Sequence, residues 1–256
     1  MNYLGLAWLV GFDFNTFIQL LFSGYFLVPA LTTLYVTVAA MTIGIALGLL
    51  GGLGKLSKFP LVRWVVATYL WVFRGTPVLV QIIFWYDATA ELTGNVVNLP
   101  ALVAGILALG VNEGAYMTEI VRAGLLSVDT GQHEAARAVG MTYSQVMRHI
   151  VIPQALRVMI PPTANEYIGM LKATSLLFAI AVPEIFSTGS NFYSSNFRYF
   201  EALSVVSIWY LLLSSILTYV QSWLERRFGV GRMNIGRDKA RLLSRMFGFG
   251  SAKGVR

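Results

Sequence analysis

The sequence predicts an all-α integral membrane protein with five transmembrane helices, its N-terminus outside and its C-terminus in the cytoplasm. Three observations lead there. The 256 residues are 56% hydrophobic and only 12% charged, with a mean hydropathy of +0.66, far from the balance of a soluble domain. Five apolar runs are each long enough to cross about 30 Å of hydrocarbon, which takes about 20 helical residues. The runs show no period-2 alternation, which argues against a β-barrel. Finally, 16 of the 19 Lys and Arg residues fall in alternate connecting segments, and such segments face the cytoplasm.

Residues 1–24 are expected to stay outside. They lack the basic start and small-residue cleavage site of a secretory signal, so the segment is expected to be retained. Asp13 to Gly24 reads as an aromatic-rich helix lying in the interface. The first run, Pro29 to Leu53, carries Gly44, Gly48 and Gly52 on one face, a spacing that lets another helix approach closely. It ends in Gly51-Gly52-Leu53-Gly54-Lys55-Leu56-Ser57, which is not a phosphate-binding loop. Leu49 and Leu56 stand where such a loop needs Gly and Ser or Thr.

The second run, Leu61 to Tyr86, contains Arg74 at membrane depth, where a charge costs roughly 2.5–3.5 kcal/mol on insertion scales. Gly75-Thr76-Pro77 then breaks the helix. Thr76 is driven toward extended geometry by the proline after it, and Pro77 suits the start of a new half-helix. The N–H groups of Val78 and Leu79, with Arg74, would suit a carboxylate. The third run, Leu99 to Val121, carries Glu113 and Glu119 and is followed directly by Arg122. Glu119 and Arg122 are spaced to pair, while Glu113 is a candidate for an ammonium or cationic group. An ion pair between Arg74 and Glu119 is the structural alternative to substrate contact.

The fourth run, Val158 to Val182, is expected to begin at Pro161-Pro162. It holds a polar series, Asn165, Glu166, Lys172, Thr174 and Ser175, in which Glu166 and Lys172 could instead neutralise one another. The fifth run is Phe200 to Trp223. Residues 226–256 form a basic tail that accounts for much of the +7 net charge and would be drawn to anionic lipid at about 1 kcal/mol per residue. Nucleic-acid binding is not indicated.

Between the third and fourth runs lies a compact cytoplasmic segment, about residues 128–153. A short helix, Glu134-Ala135-Ala136 to Val139, is followed by a turn at Gly140 and an amphipathic helix from Tyr143 to Ile150 that Pro153 is expected to stop. The spacing Glu-Ala-Ala, three residues, Gly, nine residues, Ile-x-Ile-Pro resembles the EAA signature of the membrane subunits of ATP-binding-cassette importers, with Ile152 in place of Leu. Phe73-Arg74-Gly75-Thr76-Pro77 with Gln81, Ala115 to Gly124, Gly131-Gln132 and Leu171 to Leu176 further resemble the polar amino acid uptake permeases of that family. Ala173 departs from the Asp or Asn frequent there.

That resemblance covers roughly residues 25–225 and implies a type I ABC importer permease fold in a bacterial inner membrane. It implies ATPase subunits that carry ATP and Mg, a second permease subunit, identical or homologous, and an external amino-acid-binding protein. Glu134, Ala135, Ala136, Gly140 and Pro153 become coupling residues. Arg74, Thr76, Gln81, Glu113, Glu119, Asn165, Glu166, Lys172 and Ser175 become candidates for the substrate path. No cofactor is expected on this chain. With no cysteine and only His133 and His149, neither a metal cluster nor a Ser, His and Asp constellation is visible, so an enzyme is not indicated. An ion-coupled secondary transporter or channel is the alternative, but it leaves the Glu134 to Pro153 spacing unexplained.

Overall fold

A computed structural model describes residues 11–228, which are helical in every regular element and contain no strand. The chain starts with α1 (Phe14–Phe22). Its N-cap, Asp13, accepts from the backbone N–H groups of Asn15 and Thr16 at 3.0 and 3.1 Å. A 3₁₀ turn (Gly24–Phe26) leads to α2 (Leu27–Lys55), then α3 (Pro60–Gly75) and α4 (Val78–Ile83). A π turn (Phe84–Ala88) carries α4 into the short α5 (Thr89–Leu92), and α6 (Ala101–Leu126) follows.

The segment between α6 and the fourth apolar run forms α7 (Thr130–Ala138), α8 (Tyr143–Val146) and a π turn (Met147–Val151) that runs into α9 (Ile152–Ala173). A 3₁₀ run (Thr174–Ile180), α10 (Ile185–Asn196) and α11 (Tyr199–Arg227) complete the fold. Of the basic tail, only its first residues, to Arg227 and Phe228, lie among those described; 229–256 fall outside them.

Among the described residues three helices are long and apolar enough to cross a membrane: the segment Gly24–Lys55, α6 and α11. Two further candidates are bent pairs. Pro60–Gly75 and Val78–Leu92 meet at 105°, and Tyr143–Ile180 and Ile185–Asn196 at 47°; if each pair is one span the total is five.

The helix that the glycine stripe of α2 was expected to meet is α6. Side-chain atoms built on Gly44, Gly48, Gly51 and Gly52 would meet Glu113, Met117, Thr118 and Val121 in turn. From the other side, Gly110 faces Ile43, and Gly114 faces Leu47 and Tyr69. In hydrocarbon, where apolar burial between helices gains little, such backbone approach is what holds two helices together.

Two expectations about prolines are corrected. Pro161 and Pro162 lie inside α9 and do not begin it. Pro153 sits in the first turn of α9, where a missing N–H leaves no bond unmade, so the chain continues as helix past it. The π turn before it sends the Ile152 N–H back to the Met147 carbonyl, and Gln154 Nε2 donates to the Ile150 carbonyl at 3.0 Å. Glu184, in the segment that follows the fourth apolar run, is wholly buried. It caps α10 by accepting from the N–H groups of Phe186 and Ser187 at 2.8 and 2.6 Å and from the Tyr210 hydroxyl at 2.7 Å.

Candidate functional site

The knob formed by α7 and α8 is built from local signals. Asp129 accepts from the Gly131 N–H at 2.7 Å and opens α7. Thr142 and Gln145 form a reciprocal capping box at α8. Between them Gly140 has φ +83°, a conformation that L side chains adopt only with strain. Beneath the knob Ala136 is buried with Val128, Val146, Val151 and Ala155. Glu134 and Ala135 are exposed, as are Val139 at 78% and Tyr143 at 67%. A helix–turn–helix with an apolar underside therefore offers an acid, an alanine and two uncovered apolar side chains outward.

Inside the bundle, the break expected at Gly75 to Pro77 is present. Thr76 is extended (φ −115°, ψ 145°) and Pro77 precedes the first turn of α4. Because Pro77 has no N–H, the Phe73 carbonyl loses its helical partner. Gln81 Nε2 replaces it at 3.1 Å, while also donating to Thr76 O at 3.2 Å and Thr76 Oγ1 at 2.8 Å. Asn112 Nδ2 of α6 donates to the same Phe73 carbonyl at 2.7 Å and to Gln81 Oε1 at 3.1 Å. Thr76 and Gln81 are thus engaged in closing the break. Asn112, next to Glu113 on α6, is part of that closure.

Arg74 does not pair with Glu119. Its guanidinium lies over the Tyr116 ring, 5.3 Å from the centroid. Glu119 instead holds Arg122 at 2.7 Å, as the i,i+3 spacing suggested, and Lys55 at 3.4 Å. Glu113 is 5% exposed, and its Oε1 has no hydrogen-bond partner among the described residues.

A family profile described as binding-protein-dependent transport system inner membrane component matches residues 40–230, about three quarters of the chain. The chain belongs to that family. The permease is 37% identical over 244 residues to the arginine transport system permease protein of Corynebacterium glutamicum, a match covering 88% of this chain and 77% of that one. It is 41% identical over 194 residues to a probable amino-acid permease protein of Bacillus subtilis, covering 76% and 87%. A solved structure described as an amino acid ABC transporter with histidines superposes with a TM-score of 0.77 at 36% identity, covering 84% of this chain and 99% of that chain. The chain is thus a permease subunit of the ABC importers and has their permease fold, which favours this reading over an ion-driven transporter or channel.

The remaining candidates of the permease are dispersed along α9. Asn165 is exposed and Glu166 half-buried. Among the described residues no ion pair within 4.0 Å joins Glu166 to Lys172, so they do not neutralise one another across turns of this chain. Ser175 donates to the Lys172 carbonyl at 2.7 Å. Lys172 and Ser175 line a cavity of about 480 Å³ with Ser207, Tyr210 and Ser214 of α11, a side of the site the sequence did not reveal. Ser207 and Ser214, seven residues apart on an apolar helix, were its available signal.

Proposed function

We propose that the permease crosses a bacterial inner membrane five times, N-terminus outside and C-terminus inside, and forms with a second permease subunit the path of an amino acid. An external binding protein delivers the substrate. ATPase subunits carrying ATP and Mg grip Glu134 and Ala135 on the knob that the Gly140 turn and Pro153 frame. The observation that carries this reading is the knob itself, an exposed acid and alanine beside uncovered Val139 and Tyr143 on a glycine-turned motif that follows the C-terminal end of α6.

Within the path, Glu113 and Glu166, which have no basic partner within 4.0 Å among the described residues, suit an ammonium or guanidinium. Arg74 suits the carboxylate of the same class of substrate. The arginine permease among the relatives is consistent with a basic amino acid.

Reconstitution of the permease with its ATPase and binding protein in proteoliposomes tests the proposal. Uptake of L-arginine should require ATP, survive a protonophore and fall at least tenfold in Glu113→Gln. Uptake that ignores ATP and collapses with the protonophore would sink it, and uptake of L-glutamine alone would overturn the choice of a basic substrate.

A further inference from the structure

We propose that Asn112 and Tyr116 are positioning residues which together aim the Arg74 guanidinium, leaving its N–H edges free to receive a carboxylate from the path. This rests on the reading of Arg74 as a path residue.

The argument begins with how little apolar burial holds α3. Among its sixteen residues only Leu70 is buried, and in lipid apolar contact does little to fix one helix on another. Three polar ties instead fasten α3 to α6. The Tyr69 hydroxyl donates to the Val111 carbonyl at 2.5 Å. Asn112 Nδ2 donates to the Phe73 carbonyl at 2.7 Å. Arg74 lies over Tyr116 at 5.3 Å.

Asn112 and Tyr116 are four residues apart on α6, one above the other on the same face. They grip consecutive residues, Phe73 and Arg74, at the point where the helix ends. Asn112 also reaches Gln81 on the far side of the break, so the same amide sets the position of both half-helices. A carbonyl orphaned by proline must find a donor at this depth, which gives the Asn112 contact a strong reason to persist.

The geometry at Arg74 decides what it can bind. The guanidinium carbon sits 5.3 Å from the Tyr116 centroid, a contact between charge and ring face that takes up no oxygen acceptor, and the coplanar N–H donors of a guanidinium are those that fork a carboxylate. No acid lies within 4.0 Å of Arg74 among the described residues, and the side chain is exposed. Tyr116 therefore orients the cation without consuming the donors that a carboxylate needs.

Two measurements on the complete transporter test this. The first is phenylglyoxal modification of Arg74, followed by mass spectrometry and independent of which substrate is carried. Tyr116→Leu should raise the rate on the order of fivefold, whereas Tyr116→Phe, which keeps the ring face, should stay within about twofold of the parent. The second is uptake of L-arginine and L-glutamine in proteoliposomes. Tyr116→Leu and Asn112→Leu should raise the apparent KM of the imported probe about fivefold with Vmax nearly unchanged. Arg74→Gln combined with Tyr116→Leu should be no worse than Arg74→Gln alone.

Tyr116 lies on an exposed face, so Tyr116→Leu keeps the test decisive should Asn112→Leu fail to assemble. Unchanged modification of Arg74 in Tyr116→Leu overturns the proposal, as does a double variant whose effects multiply. Wild-type KM in Arg74→Gln overturns the parent reading of Arg74 instead, and leaves the modification result standing on its own.

Discussion

Gly44 on α2 lies directly against Glu113 on α6: a methyl group built there would fall 2.6 Å from Glu113 Cγ and 2.9 Å from Cβ. The missing side chain of one residue is the space that the Cβ–Cγ stem of the other occupies. Four positions on, the same would bring Gly48 within 2.9 Å of the Met117 backbone, which cannot yield as a flexible side chain can.

Alanine in the stripe should therefore cost more than its size suggests. Gly48→Ala is expected to destabilise the α2–α6 pair by about 1–3 kcal/mol, the usual range for overpacking. Gly24→Ala, which meets nothing within 4 Å, should be neutral. The melting temperature of the detergent-solubilised permease, followed by fluorescence size-exclusion, separates the two.

At Gly140 nothing lies within 4 Å of an added Cβ, so only backbone strain opposes substitution. A left-handed L-residue costs roughly 1–2 kcal/mol, and Asn tolerates the conformation best. Gly140→Val should abolish substrate-stimulated ATP hydrolysis in the assembled transporter while Gly140→Asn keeps most of it. Equal behaviour of the two would show that the turn conformation is irrelevant to coupling.

The adjacent alanines should fail differently. Ala136 is 6% exposed and packs inward, whereas Ala135 faces solvent. Ala136→Trp is expected to open the knob itself, seen as lost hydrogen-exchange protection over Thr130–Ala138 without any partner present. Ala135→Trp should leave that protection intact and block co-purification with the ATPase.

Asp13 links α1 to the start of α11, contacting Arg198 at 3.6 Å, while its own N–H donates to Glu201 Oε1 at 2.8 Å. The Thr16 backbone N–H and hydroxyl, with the Arg198 charge, hold its carboxyl below the usual aspartate range. A depressed folded value means that the contribution is present above the ordinary aspartate pKa and is lost as pH falls through the lowered one. A nitroxide label at Phe14→Cys, in a chain with no native cysteine, should become more mobile over that acid range. In Asp13→Asn it should be mobile already at neutral pH.

Legibility in the sequence followed how local each constraint is. The break at Thr76-Pro77 and the turn at Gly140 were readable because one residue type dictates its own backbone there. Pro153, Pro161 and Pro162 misled for the converse reason: a proline tells what bond it cannot make, but not whether a first helical turn, a π turn or a neighbour removes the need for it. Ala181, left-handed at φ 55°, offered no cue of residue type at all. The partner of Arg74 was sought among acids because charge patterns show charges. That a tyrosine ring would receive it depends on how α3 lies across α6, which no spacing within either helix encodes. The surroundings of Glu184 are hidden for the same reason, since the Tyr210 hydroxyl that meets its carboxylate lies 26 residues later.

The 3₁₀ run Thr174–Ile180 has seven residues, longer than such helices usually extend. Wound this way it advances about 2.0 Å per residue instead of about 1.5 Å, so it reaches about 3.5 Å further than the same residues in an α-helix. Rewinding it would shorten the permease by a distance comparable to the thickness differences between natural bilayers, which are a few Å. Acyl-chain length of the surrounding phospholipids should accordingly tune the import rate, with no residue changed.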